Sequence, residues 1–171
     1  MASRPLYLVA FRGAPSQRKH FAIFLPNEGE TEKGTVIHVV GAPMAGYQHE
    51  FKRNYNPFMS KTFHAVVQIG QIDKSHIAYP QGDNFEKSDT PMGDLEVTAS
   101  RVRPPPISQN FLAPVDGVTN KRCQEWTVEF VDKLIEKNYI DAQAREIVQA
   151  HRDPPNHGVG LQPVGQGRGA A

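Results

Sequence analysis

The chain has 171 residues, of which 39% are hydrophobic and 22% charged, a composition typical of one globular domain with a buried core. Its 19 Lys and Arg nearly balance its 18 Asp and Glu, and the formal net charge of +1 excludes an overall attraction to nucleic acid. The single cysteine, Cys123, cannot form an intrachain disulfide, and the apolar run before residue 12 is too short for a signal peptide or a membrane span. We therefore expect a cytoplasmic protein without a membrane partner.

The first half of the chain predicts a largely antiparallel sheet. Alternating apolar residues predict strands over residues 5–11, 20–25 and 35–40, and the polar connection 26–33 makes the last two a hairpin. Aromatic and β-branched residues predict two more strands over residues 47–55 and 62–72. The connections between these strands are short, which favours antiparallel pairing.

The middle of the chain is less regular. Residues 73–91 are polar and are interpreted as either a lid over the site or a surface segment. Residues 92–102 predict one last strand, and Pro104, Pro105 and Pro106 then stiffen the approach to the helical part.

Two helices are predicted in the last third of the chain. Asn120 is the predicted N-cap of the first helix, Asn138 its left-handed stop, and Asp141 the cap of a second helix that ends near residue 150. We expect a single domain over residues 1–152 and a disordered Pro- and Gly-rich tail over 153–171. The first helix has apolar residues at steps of three and four, namely Cys123, Trp126, Phe130, Val131, Leu134 and Ile135.

Cys123 is the strongest candidate for a reactive group. It follows Lys121 and Arg122 and opens the apolar-periodic helix. Adjacent cations and the N–H groups at a helix start both stabilise a thiolate, so we expect the pKa of this thiol to lie below its usual value near 8.5. The arrangement is typical of a thiol nucleophile.

Two histidines lie upstream on the predicted hairpin. Side chains alternate along a strand, so His20 shares one face of its strand with Ala22, and His38 shares one face of the next with Val36. If the hairpin register brings those faces together, the two imidazoles lie side by side. A helix packed on that face would bring Cys123 against His20, with His20 as the base and His38 fixing its tautomer.

Less specific interpretations stand beside this one. A histidine on an apolar strand is usually a packing residue, and a lone intracellular cysteine is usually a small buried hydrophobe. The seven histidines and one cysteine contain neither an HExxH nor a CxxC spacing, so we predict no metal and no cofactor.

The segments that carry these residues resemble a known group of enzymes. Residues 20–41, "HFAIFLP…GTVIHVVG", resemble the histidine hairpin of the lecithin:retinol acyltransferase-like proteins, and residues 120–131, "NKRCQEWTVEFV", resemble their cysteine helix. Those proteins are circularly permuted relatives of NlpC-type and papain-like cysteine enzymes. The resemblance implies Cys123 as nucleophile, His20 as base and His38 as the orienting residue.

Residues 37–55 and the "RCQEW" helix start resemble short fungal proteins, most of them uncharacterised. Some similar fungal proteins are arginine-containing cyclodipeptide synthases of secondary metabolism, which use aminoacyl-tRNA. The DDxxE motif associated with those synthases is absent, since Asp83, Asp89, Asp94 and Glu96 are scattered. A small basic face for tRNA would require Arg101, Arg103, Lys121 and Arg122 to cluster.

The sequence thus predicts an α+β fold, with a largely antiparallel sheet packed on a cysteine-bearing helix in a circularly permuted papain-like arrangement. The leading hypothesis is acyl transfer or hydrolysis on an amide or ester through Cys123, His20 and His38. Gln124, Tyr47 and Trp126 are the candidate substrate-binding residues, although the helix pattern also places Trp126 in the core. The alternatives are a tRNA-dependent cyclodipeptide synthase and a non-catalytic binding module.

Overall fold

The computed structural model describes residues 2–159, which form an α+β arrangement of strands and helices. The strands are β1 (Ser3–Phe11), β2 (His20–Pro26), β3 (Gly34–Ala42), β4 (Gly46–Tyr55), β5 (Phe63–Asp73) and β6 (Glu86–Ser88). The helices are α1 (Gly93–Ser100), α2 (Cys123–Glu136) and α3 (Gln143–His151).

The strands form one six-stranded sheet in the order β5-β1-β2-β3-β4-β6. Each neighbouring pair is antiparallel, so the predicted antiparallel sheet is confirmed. The β2–β3 hairpin places Ile23 opposite Ile37, and the β3–β4 hairpin places His38 opposite Glu50. These two registers position the histidines.

The two faces of the sheet are buried in different ways. Phe21, Ile23 and Ile37 belong to the main core, together with Trp126 and Phe130 of α2. Alternate positions on the other face form a smaller cluster of Val9, Ala22, Phe24 and Val36, which is covered by partly buried aromatic residues. Because side chains alternate, His20 and His38 lie on the face of this smaller cluster and not on the face that α2 covers.

The prediction of a strand over residues 92–102 is wrong, because this segment forms helix α1. Its buried residues include Leu95, Glu96 and Ala99, and these three lie at helical spacing. Because the buried residue Glu96 is charged, the hydrophobic pattern of the sequence did not show the helical period. The Glu96 carboxylate is buried because it pairs with Arg53 at 2.6 Å, and it also accepts the N–H of Met92 at the helix start.

Helix α2 begins at Cys123, and the prediction that Asn120 is its N-cap is wrong. Arg122 occupies the N-cap position, where its N–H donates to the carboxylate of Glu125 at 2.8 Å. Asn120 is instead buried in the preceding loop, where its amide donates to the carbonyl oxygens of Ala113 and Pro114 and accepts from Ser108.

Asn138 ends α2 in the left-handed region with φ of 61°, as predicted. Helix α3 begins at Gln143 with Ala142 at its N-cap position, so the prediction of Asp141 as the cap is wrong. Asp141 contributes its backbone carbonyl to the first turn, where it accepts the N–H of Ala144.

The polar segment 73–91 forms part of the sheet edge. It contains β6, which pairs with β4. The buried Arg53 of β4 holds the segment by binding Glu86 and the carbonyl of Thr90. The same guanidinium also binds Glu96 of α1. This segment contributes no residue to the cavity that contains Cys123.

The ordered chain continues past the predicted boundary at residue 152. Asp153 is buried, and its carboxylate binds Arg12 at 2.6 Å and the N–H of Lys19 at 2.7 Å. The carbonyl of Pro155 accepts the N–H of Val115. The remainder of the predicted tail, from residue 160, lies outside the described residues.

Candidate functional site

The β2–β3 hairpin brings the two histidines into direct contact. His20 is the first residue of β2, and His38 lies in the middle of β3 on the same face. Nε2 of His20 is 2.7 Å from Nδ1 of His38, and the ring centroids are 4.9 Å apart. The side-by-side imidazoles that the strand alternation predicts are therefore present.

A third residue, Glu50, extends this contact. It lies opposite His38 in the β3–β4 pairing, and its Oε1 is 2.9 Å from Nε2 of His38. Glu50 could not be identified from the sequence, because its contact with His38 depends on the cross-strand register. The three side chains form the relay His20–His38–Glu50.

The hydrogen bonds of the relay determine its tautomers. The hydrogen bond from His38 lowers the pKa of Glu50, which is therefore a carboxylate that accepts the Nε2–H of His38. Burial lowers the pKa of His38, so its ring is neutral and Nδ1 accepts the Nε2–H of His20. Burial and the neighbouring His38 lower the pKa of His20 to about 3. His20 is therefore neutral at physiological pH and retains a lone pair on Nδ1.

Cys123 lies at the first position of α2 and is 9% exposed. Its Sγ donates to the carbonyl of Lys19 at 3.8 Å, and the backbone N–H groups of Phe21 and Gln124 also face the sulfur. The sulfur therefore lies beside the backbone that flanks His20. Within residues 2–159, no hydrogen bond joins Sγ to either imidazole.

The prediction of a lowered thiol pKa is wrong, because burial raises the pKa of Cys123 to about 11. The cations next to it in sequence are engaged elsewhere. Lys121 pairs with Glu129 at 2.8 Å, and the Arg122 guanidinium donates to the carbonyl oxygens of Phe111 and Gly158. Desolvation therefore outweighs the stabilisation expected from the helix start.

The predicted docking of α2 on the histidine face is also wrong, since α2 covers the opposite face of the sheet. Cys123 and His20 instead share a cavity. At the start of β2 both residues line one cavity of about 260 Å³. The other residues that line it are Gln17, Arg18, Lys19, Tyr47, Arg122 and Gly158.

The chain was compared with models of known protein families, and one of them matches most of its length. The family model described as "Family of unknown function (DUF6540)" matches residues 6–141, which include Cys123 and all three relay residues. The chain belongs to the DUF6540 family. No curated protein and no solved structure matches it.

The predicted substrate-binding residues of this DUF6540 chain separate into two groups. Tyr47 lines the cavity beside Cys123, and burial raises the pKa of its hydroxyl above the usual value. Gln124 is fully buried, and its amide bonds the carbonyl of Lys19, Asp153 and Arg18. Trp126 is a core residue whose indole N–H donates to the carbonyl of Val102. Neither Gln124 nor Trp126 lines the cavity beside Cys123, and their substrate-binding roles stay predictions.

The four basic residues considered for a tRNA face do not line one common cavity in the described region. Arg101, Arg103, Lys121 and Lys133 line a hollow that also contains Glu129, Asp132 and Glu136. Arg122 turns away towards the cysteine cavity. This mixture of charges gives little electrostatic support to tRNA binding. Among residues 2–159, no helix has the length and apolar character needed to cross a bilayer.

Proposed function

We propose that this DUF6540 chain is a thiol-dependent enzyme that performs acyl transfer or hydrolysis on an amide or ester, in a circularly permuted papain-like fold. The observation that carries the proposal is the position of His20. It lines the cavity of Cys123 while its Nε2 is held in the relay to Glu50. A nucleophile, a base and an anchored base orientation are the parts that such chemistry requires.

The proposed reaction begins with both groups neutral. Sγ of Cys123 attacks the acyl carbonyl carbon, and the thiol proton moves to Nδ1 of His20 as the C–S bond forms. The tetrahedral intermediate then expels the alcohol or amine, which takes the proton back from His20, and a thioester on Cys123 remains. Water or an acceptor attacks that thioester and loses a proton to His20. His20 returns this proton to the departing sulfur.

Proton transfer must be concerted with bond formation, because the pKa of the resting thiol is about 11 and that of His20 is about 3. The thiol becomes more acidic as sulfur donates its electron pair to the carbonyl. The positive charge that develops on His20 is stabilised through His38 by the carboxylate of Glu50.

Two hydrogen-bond donors near Cys123 are the candidates for stabilising the developing oxyanion. The backbone N–H of Gln124 faces Sγ at the first turn of α2, and helix N-termini favour negative charge. Tyr47 keeps its hydroxyl proton, because burial raises its pKa, and it can donate a hydrogen bond.

The direct experiment is to trap the acyl-thioester. Incubation with the small activated ester p-nitrophenyl acetate, followed by peptide mass mapping, is expected to give an acetyl group on Cys123 that hydroxylamine removes. Cys123→Ala abolishes this adduct. His20→Ala slows its formation by about 100-fold or more, since a positioned base contributes that much.

His64→Ala is the matched control, because His64 is an exposed histidine on β5 and lies outside the cavity. It is expected to acetylate at the wild-type rate. Equal rates for the wild type, His20→Ala and His64→Ala would contradict the proposed role of His20.

A non-catalytic binding module is the second candidate, and the burial of Cys123 with its raised pKa favours it. Such a module would need the cavity but not the thiol chemistry. It predicts that Cys123→Ala retains full biological effect in the producing cell, whereas the enzyme proposal predicts complete loss.

A further inference from the structure

A second cavity lies on the sheet face that α2 does not cover. It has a volume of about 310 Å³, at the lower end for small-ligand pockets. His20 lines this cavity as well as the one that contains Cys123. The other residues that line it are Phe11, Val36, His38, Val40, Lys52, Tyr55, Ser60 and Thr62.

Lys52 is the one lining residue of this cavity that carries a full charge, because the pKa values of both histidines are lowered by burial. Its Nζ lies 4.8 Å from the Tyr55 ring centroid and 4.0 Å from Glu50. Glu50 is also 4.0 Å from Lys87. Two ammonium groups thus share one carboxylate, which leaves a net positive charge beside the cavity.

The remaining polar groups leave few donors for a ligand. The N–H groups of His20 and His38 are used in the relay, so the histidines offer no donor to a ligand. The hydroxyls of Ser60 and Thr62 lie 3.1 Å apart, so one proton of this pair remains to donate, and the phenol of the lining residue Tyr55 is a second hydroxyl donor. Phe11, Val36 and Val40 supply apolar surface beside these groups.

We propose that this second cavity binds a compact monocarboxylate, whose carboxylate pairs with Lys52 and whose apolar body lies against Phe11 and Val40. One cation and two hydroxyl donors match the two oxygens of a single carboxylate. A doubly charged ligand such as a phosphate monoester would leave part of its charge unpaired in a partly apolar cavity. The site is separate from the thiol cavity and touches it through His20.

The test uses calorimetric titration of the Cys123→Ala protein, so that thiol chemistry contributes nothing to the signal. Benzoate and hexanoate are the probes, with benzamide as the neutral isostere of benzoate and inorganic phosphate as the doubly charged comparison. We expect saturable binding of at least one carboxylate and weaker binding of both comparison compounds. Lys52→Gln is expected to weaken carboxylate binding by about tenfold, the loss typical of one charged hydrogen bond.

Two further variants locate the site. Lys133→Gln on the exposed side of α2 is the charge-matched control and is expected to bind carboxylate as tightly as the parent protein. Val40→Phe retains Lys52 but fills the cavity, and it is expected to abolish binding. The proposal is overturned if neither carboxylate saturates, if benzamide binds as tightly as benzoate, or if Lys52→Gln and Val40→Phe both bind normally. Each of these outcomes is independent of whether Cys123 is a nucleophile.

Discussion

His20 combines two positions that strand geometry usually separates. Its backbone lies beside the sulfur of Cys123, while its ring lies on the opposite face of the sheet against His38. His20 is the first residue of β2, and it lines both cavities. A histidine further along β2 would face the smaller cluster alone.

The first residue-scale prediction concerns stability against pH. The pKa of His20 is about 3 in the folded chain and 6.5 for an ordinary histidine. Between these values the unfolded chain binds a proton that the folded chain does not, so stability falls as pH decreases from 6.5 towards 3. Between about pH 3 and 6.5, the unfolding free energy of the wild type rises with pH. His20→Gln is expected to reduce the slope of this free energy against pH by about 1.4 kcal/mol per pH unit.

Urea unfolding at several pH values measures this slope through the fluorescence of Trp126, the single and fully buried tryptophan. His64→Gln removes an exposed histidine and serves as the control, which is expected to retain the wild-type slope. A His20→Gln slope equal to that of the wild type would show that His20 titrates normally in the folded chain.

At this scale the sequence identified the histidine pair but not its partner or the state of the thiol. Alternation along two strands is a local signal, and it was enough to pair His20 with His38. Glu50 required the β3–β4 register, which local pattern does not fix. The pKa of Cys123 required its burial, and burial depends on how α2 packs against the sheet.

The strands of this chain were more predictable than its helix boundaries. Strands β1 to β5 follow from alternating apolar residues bounded by turn residues. Helix α1 was missed because Glu96 is buried in an ion pair with Arg53, a residue of a distant strand. The start of α2 was misplaced because Arg122, and not Asn120, occupies the N-cap position, where its N–H donates to Glu125.

The prediction at the scale of the secondary-structure elements concerns Arg53. This residue of β4 is 1% exposed and binds Glu86 of β6 and Glu96 of α1. Removing one partner of a buried ion pair leaves the other charge uncompensated. Arg53→Ala is therefore expected to lower the free energy of unfolding by about 3–5 kcal/mol.

Arg145→Ala is the matched control, since it breaks the exposed pair with Asp132 and is expected to cost less than about 1 kcal/mol. Chemical denaturation of both variants gives the comparison. Equal losses for the two substitutions would contradict a supporting role of Arg53 at this sheet edge.

At the scale of the whole molecule, the sheet separates two cavities that share His20. The wall of the cysteine cavity comes from the β2 approach, β4, the start of α2 and the segment after α3. No local sequence signal connects segments so far apart in the chain, so the predicted site could not include Arg18 or Gly158. The Gly158 carbonyl accepts from Arg122, and this contact brings the segment after α3 to the cavity.

The central claim is that His20 acts as the base for Cys123, and the pH dependence of Cys123 acetylation by p-nitrophenyl acetate tests it most directly. With a neutral base of pKa about 3 and a thiol of pKa about 11, the account predicts a rate that stays flat from about pH 5 to about pH 9. His20→Ala should convert this plateau into a rise of roughly one log unit per pH unit, as for a free thiolate. The same rise in the wild-type protein, unchanged by His20→Ala, would contradict the account.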